Sequence, residues 1–164
     1  MRGILILAFG PPLLTFLIFD VAQLRINASE SLPVGLYRVS PTGGFVEFCP
    51  DDHGLSALRH YRAKGVCSDG ARPLLKPVAA GPGDDVVLGS NGITVNGRFL
   101  PNTAPLTRDT EGRPLAHWAY GRYKVPAGML WVASTYNSRS YDSRYLGPIR
   151  ETAVRARLQR VIAW

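Results

Sequence analysis

Two side chains stand in local frames suited to chemistry. Ser31 lies in Asn27-Ala28-Ser29-Glu30-Ser31-Leu32-Pro33-Val34-Gly35-Leu36-Tyr37, and Lys76 lies in Leu74-Leu75-Lys76-Pro77-Val78. A serine hydroxyl attacks a carbonyl only when a neighbouring base takes its proton, and a lysine can be that base only if burial lowers its pKa. A lysine starts near 10.4, so bringing it to roughly 7–8 means about 4 kcal/mol against the charged form. Leu74, Leu75 and Val78 are placed to supply that desolvation, and the nearest acid, Asp84, stands beyond a turn. The pair reads as a serine hydrolase that does without histidine. Taken singly, Ser31 is better explained as a loop serine or helix N-cap, and Lys76 as a surface lysine on a strand; it is the accompanying motifs that reverse this.

Strand signals outnumber helical ones in the elements that must hold these groups. Gly35–Val39 and Phe45–Phe48 are short aromatic and β-branched runs separated by Pro41-Thr42-Gly43-Gly44. Further runs cover Pro73–Ala79, Asp85–Leu88, Ile93–Val95, Arg98–Leu100, Met129–Ser134 and Val154–Trp164. Asn91-Gly92 and Asn96-Gly97 read as hairpin turns. In Gly81-Pro82-Gly83-Asp84 the proline fixes φ and Gly83 accepts φ > 0, so this is a tight turn following the lysine strand. Leu55, Leu58 and Tyr61 are spaced for one face of a short helix between Asp51 and Lys64, with Asp51 or Asp52 as N-cap. Residues 102–121, rich in Pro, Thr, Gly and charge, read as a long loop or insertion. The expected fold is mostly β, one small antiparallel domain over residues 23–164.

Before that domain, Gly3 to Phe19 is a run of 17 residues without a charge, bracketed by Arg2 and Asp20. That length is at the lower limit for crossing a hydrocarbon core of about 30 Å. Pro11-Pro12 would kink the helix, and membrane helices tolerate proline. A membrane anchor over residues 1–22 is expected, with a cleaved secretory signal peptide as the alternative, although Asp20-Val21-Ala22 makes a poor cleavage site. Either way the domain is exported. Cys49 and Cys67 are the only cysteines, and in an oxidising compartment the pair is expected as a disulfide. Without neighbouring histidines it makes a poor zinc site, so no metal or cofactor is expected.

The formal net charge of +7 and a pI of about 9.8 could suggest a nucleic-acid partner. No basic run interleaved with aromatics tracks a phosphate backbone, so nucleic acid is set aside in favour of a basic domain beside anionic lipid headgroups. His53, His60 and His117 sit in no motif, which argues against a Ser-His-Asp triad. Trp118, Trp131 and Trp164 read as core or membrane-interface residues rather than as a ligand cage.

A third motif, Ser138-Arg139-Ser140-Tyr141-Asp142-Ser143-Arg144-Tyr145-Leu146-Gly147-Pro148-Ile149, completes a series with the Ser31 and Lys76 frames. In this order, after an apolar N-terminal segment, the three resemble the signal peptidase I family of membrane-bound Ser/Lys peptidases. The frame Asn27, Ser31, Pro33, Gly35 and Tyr37 is most similar to the TraF-type branch, the conjugal-transfer peptidases that mature pilin subunits. Ordinary signal peptidases carry Ser-Met-x-Pro there, and here the proline comes one residue sooner.

The resemblance implies Ser31 as the acylated nucleophile and Lys76 as its base. Ser29 would join the Ser31 backbone N–H in an oxyanion hole, where one donor is typically worth about 3–4 kcal/mol of barrier. Ser140 would hold the lysine ammonium, with Asp142 and Arg144 bracing the region. Residue type alone would make that last pair a surface ion pair worth under about 1 kcal/mol. The resemblance further implies an inner-membrane enzyme with a periplasmic catalytic domain and a membrane-inserted pilin precursor as partner. A general signal peptidase clipping preproteins is the enzyme alternative, and an inactive structural component of a transfer apparatus the alternative of another class.

Overall fold

The computed structural model describes residues 23–50 and 61–164. The expected anchor over 1–22 and most of the expected helix over 51–64 fall outside them. Among the described residues no helix is long and apolar enough to cross a membrane. Where the end of the expected 51–64 helix is described, it is not helical: Tyr61 is in a turn and Lys64 bridges to Ala71.

Eleven strands among the described residues form two antiparallel sheets. The larger sheet has seven strands in the order β1 (Leu24–Asn27), β2 (Gly35–Val39), β11 (Val154–Ala163), β3 (Phe45–Phe48), β4 (Leu74–Ala80), β9 (Met129–Val132) and β10 (Ile149–Arg150). The smaller has four, β7 (Arg98–Leu100), β6 (Gly92–Val95), β5 (Asp85–Gly89) and β8 (Gly121–Lys124). β2 and β3 have the bounds their residues predict, and β4 lies one residue beyond its prediction. Three strands were not anticipated: β1, whose Leu-Arg-Ile-Asn is too short to show a period, and the small β8 and β10. Two short helical turns complete the described elements: a 3-10 turn, Glu151–Ala153, and Ser143–Leu146, capped by Asp142, whose side chain accepts from the Arg144 N–H.

Turn chemistry fixes the smaller sheet. Asn96 and Gly97 both have positive φ, 48° and 81°, as the β6–β7 hairpin requires. The preceding turn shifts by one from its expected place: Ser90-Asn91 make it, and Gly92 opens β6. Between β4 and β5, Gly81 and Asp84 close the predicted turn with two hydrogen bonds, and Gly83 has φ +87°.

Three apolar clusters fill the fold. Val86, Leu88 and Ile93 of the small sheet pack with Ala80 and Trp131 of the large one. Val46, Phe48, Leu130, Val132 and Ile149 form a second cluster within the large sheet, and Leu32, Tyr37 and Leu158 a third beneath the Ser31 segment. Trp131 is fully buried and Trp118 packs against the first cluster, whereas Trp164 is exposed. Cys49, directly after β3, is disulfide-bonded to Cys67 across 18 residues.

Candidate active site

Lys76 sits in the middle of β4 opposite Val46 on β3. Because strand side chains alternate, Leu74, Lys76 and Val78 share one face, and both neighbours belong to the cluster around Val46 and Val132. Leu75 points the other way, toward Tyr37 and Leu158, so it is not part of that face. The strand therefore carries Lys76 inside, leaving it 3 % exposed.

Burial lowers its pKa from 10.5 to about 8. Asp142 pushes the value back up and Arg144 opposes Asp142. The acid that matters is thus Asp142 rather than Asp84, which is bonded to Gly81 and Asn96. A charged partner for the amine is present, and its own counter-ion acts against it.

Two hydrogen bonds use the Lys76 amine. Nζ donates to Ser31 Oγ at 2.7 Å and to Ser140 Oγ at 2.8 Å. Above about pH 8 the neutral amine has a lone pair, and the contact with Ser31 can reverse so that the hydroxyl donates. The segment bearing Ser31 is fixed from both sides. Asn27 Nδ2 donates to the carbonyls of Ser29, Leu32 and Pro33, at 3.0, 3.3 and 3.1 Å. Ser134 Oγ donates to the Ser31 carbonyl at 2.5 Å. Tyr37, buried, donates from its hydroxyl to the Pro33 carbonyl at 2.9 Å. Gly35 is needed where β11 crosses, since a Cβ there would come within 2.2 Å of the Ile162 carbonyl oxygen.

Asn27, named in the Ser31 frame without a role, and Ser134 are the positioning residues whose part sequence reasoning did not assign. For Asn27 a signal existed: asparagine followed two residues later by serine is the pattern of an Asx turn, and its Oδ1 accepts from the Ser29 N–H. Ser134 is brought close only by tertiary folding. Ser29 lines the same cavity as Ser31 and Lys76, with its hydroxyl donated to Asn27 Oδ1 at 2.7 Å. Serving an oxyanion would require that bond to be released.

Asp142 and Arg144 are not a surface pair. Both are fully buried, with Nη2 and Oδ2 2.8 Å apart and a second contact, Nε to Oδ1, at 2.8 Å. Arg144 also donates to the carbonyls of Asn102, Ser138 and Ser140, and Asp142 accepts from the Ser134 N–H. One ion pair thus ties Ser134, two residues beyond β9, to the loop that carries Ser140. Gly147 belongs to the same motif for a packing reason. Its φ is +69° and a Cβ would meet the Trp118 ring at 2.6 Å.

A cavity of about 580 Å³ opens beside Ser31 and Lys76. The loop between β7 and β8 supplies Leu106, Asp109 and Leu115 to its wall, and the disulfide-closed segment supplies Tyr61. Tyr61 donates to Asp109, lies under the Arg113 guanidinium at 5.0 Å and stacks on Tyr141. No described histidine lines this cavity; His117 bonds the Trp118 carbonyl and stacks on Tyr120, while His53 and His60 lie outside the described residues. No group of metal-binding side chains occurs among the described residues.

A buried amine on a serine hydroxyl, carried on antiparallel sheets, is the arrangement to expect of a peptidase that uses lysine. Residues 3–164 match the family described as signal peptidase, peptidase S26, and the chain belongs to that family. Within it the chain is similar to plasmid transfer proteins. It is 34 % identical over 150 residues to a plasmid transfer protein TraF of Escherichia coli, covering 87 % of this chain and 84 % of the relative. A probable conjugal transfer protein TraF of Sinorhizobium fredii is 34 % identical over 149 residues, covering 85 % and 77 %. A conjugal transfer protein TraF of Agrobacterium fabrum is 35 % identical over 139 residues, covering 79 % and 77 %. A crystal structure of a signal peptidase I from Enterococcus faecalis covers 73 % of this chain and 97 % of that one, with 18 % identity and a TM-score of 0.41. That likeness is too slight to carry an argument.

Proposed function

We propose that this chain is a membrane-anchored serine endopeptidase that matures an exported, membrane-inserted precursor, and that the precursor is a conjugative pilin subunit. The observation that carries the reading is the 2.7 Å contact between the Lys76 amine and the Ser31 hydroxyl, with the amine buried and its pKa at about 8. Ser31 Oγ attacks the scissile carbonyl while its proton passes to Lys76 Nζ. The carbonyl oxygen gains the negative charge, and the Ser31 N–H with the Ser29 hydroxyl stabilises it. Collapse breaks the C–N bond, Lys76 returns the proton to the leaving amine, and an ester on Ser31 remains. Water, or another amine, then attacks that ester with Lys76 again taking the proton. Ser140 keeps the amine aimed, and the Asp142–Arg144 pair keeps Ser140 in place.

The names of the TraF relatives support the conjugative setting, and the apolar run before Gln23 supports an inner-membrane anchor with the domain in the periplasm. Mass spectrometry of the pilin from cells carrying the parent enzyme or Ser31→Ala tests the whole reading. Processed pilin is expected only with the parent, and a product about 18 mass units below the linear form would mean that an amine of the same chain resolved the ester. Identical pilin in both strains would overturn the pilin assignment. General preprotein processing would instead appear as unprocessed exported proteins in the Ser31→Ala strain.

A further inference from the structure

The cavity beside Ser31 holds more positive charge than its own acids neutralise. Four arginines line it, Arg25, Arg62, Arg72 and Arg139, against the carboxylates of Glu47 and Asp109. Arg62 is committed, with Nη1 2.6 Å from Asp69 Oδ2 and Nε on the Arg72 carbonyl. Arg25 lies 3.7 Å from Glu47, and Asp109 is taken by Tyr61 and Arg113. The side chains of Arg72 and Arg139 have no partner among the described residues, although their backbones are held. The Arg72 N–H donates to the Ala63 carbonyl and the Arg139 N–H to Asn137 Oδ1. Arg72 and Arg139 thus line the cavity from a fixed main chain, and both are solvent-exposed.

Their positions along that main chain are informative. Arg139 directly precedes Ser140, which accepts from Lys76 at 2.8 Å, so its Cα is only about 3.8 Å from that of a residue touching the amine. Arg72 lies four residues before Lys76, a span of roughly 13 Å in extended chain. That span is about four residues of a peptide lying along the cavity. A planar guanidinium pairs with a carboxylate through two parallel N–H donors, a geometry that an amide or hydroxyl does not satisfy as well.

We propose that Arg72 and Arg139 make this site select peptides that carry a carboxylate, from an acidic side chain or a chain end, within about four residues of the bond to be cut. The inference rests on the peptidase reading of Ser31 and Lys76 and adds a specificity to it. Arg139 reads a position next to the scissile bond, and Arg72 reads one further along the groove. Neither residue touches the reacting atoms.

The test uses the full chain in phosphatidylcholine vesicles with a mixed library of synthetic peptides, the cut positions being read by mass spectrometry. Each peptide is supplied with a free and an amidated carboxyl end. Asp or Glu is expected to be enriched near the cut about fivefold over Asn and Gln, the upper range for a partly wet ion pair. The enrichment should fall in 0.5 M salt, because the groove is open to screening. If chain ends are what is read, only the free-ended peptides will show it. Arg139→Gln and Arg72→Gln should each flatten the preference at a different position, whereas Arg139→Lys retains part of it. Arg139→Glu should turn it toward Lys and Arg. Preference is a ratio within each variant, so a general loss of activity does not imitate the result. Cleavage with no acidic preference in the parent, or a preference indifferent to all four substitutions, would overturn the inference and leave the peptidase reading standing. Absence of any cleavage that depends on Ser31 would overturn both.

Discussion

As the proposed base, the amine of Lys76 must be deprotonated to act, and its burial sets when that happens. Because the neutral form is the base, kcat/KM should rise about tenfold per pH unit at low pH and level off near 8. Asp142 raises that value and Arg144 lowers it, so Asp142→Asn should move the acid limb to lower pH and Arg144→Met to higher pH. A pH–rate profile with a soluble peptide reads both shifts, and shifts of the same sign would contradict the assignment. Stability follows with a definite sign. The lysine titrates at about 8 when folded and near 10.5 when unfolded, so between those values the unfolded chain binds a proton that the folded one does not. Stability therefore increases across that window, and below it the folded state bears a penalty of roughly 3 kcal/mol. Lys76→Met should melt higher than the parent at pH 7, with the gap narrowing by pH 9.5 in thermal denaturation followed by circular dichroism. The buried ion pair behaves in the opposite way. Asp142→Asn leaves Arg144 charged and unpaired, and should cost about 3–5 kcal/mol by denaturant unfolding, more than replacing both residues together by apolar ones.

Strands and turns place these groups, and they differ in how openly the chain announces them. β2 and β3 were legible because Gly35–Val39 and Phe45–Phe48 are compact runs set off by Pro41-Thr42-Gly43-Gly44, and the turns at Gly83 and Asn96-Gly97 were legible because only such residues accept positive φ cheaply. The Ser31–Lys76 pair was legible through its flanking motifs. The full burial of Asp142 and Arg144 was not, since Asp-x-Arg looks the same in a surface turn, and burial here comes from carbonyls as far away as Asn102. Nor could the chain disclose that the polar stretch 102–121 builds a cavity wall, because polar composition predicts a loop and says nothing about what the loop covers. That wall leans on the disulfide. Cys49–Cys67 closes the segment from which Tyr61 reaches Asp109 and Tyr141. Losing the bond should remove about 3 kcal/mol in the chain-entropy estimate, lowering Tm on addition of a non-thiol reductant. It should also raise KM more than it lowers kcat, since Tyr61 shapes the cavity and does not touch Ser31. An effect on kcat alone would mean that the wall has another role.

Chain connectivity links Ser31, the proposed nucleophile, to the apolar N-terminal run. Ser31 follows residue 22 by nine positions, which at the full extension of about 3.3 Å per residue spans at most roughly 30 Å. β1 uses four of the intervening residues and pairs straight back on β2, so the true reach is shorter. An anchor over residues 1–22 would therefore hold Ser31 within that distance of the bilayer surface, where a precursor embedded in the same membrane presents its peptide bond. Confinement of both partners to one surface raises effective concentration by a factor that commonly reaches 10²–10⁴, and a net charge of +7 adds attraction to anionic headgroups. A chain starting at Gln23 should then cut a short soluble peptide with nearly the parent kcat/KM and lose at least about a hundredfold on a precursor reconstituted in vesicles with anionic lipid. Both rates are measurable with the same detergent-free assay. Equal losses on the two substrates would mean that residues 1–22 serve the fold of the domain. Equal rates on the vesicle-bound precursor would remove the membrane from the mechanism altogether.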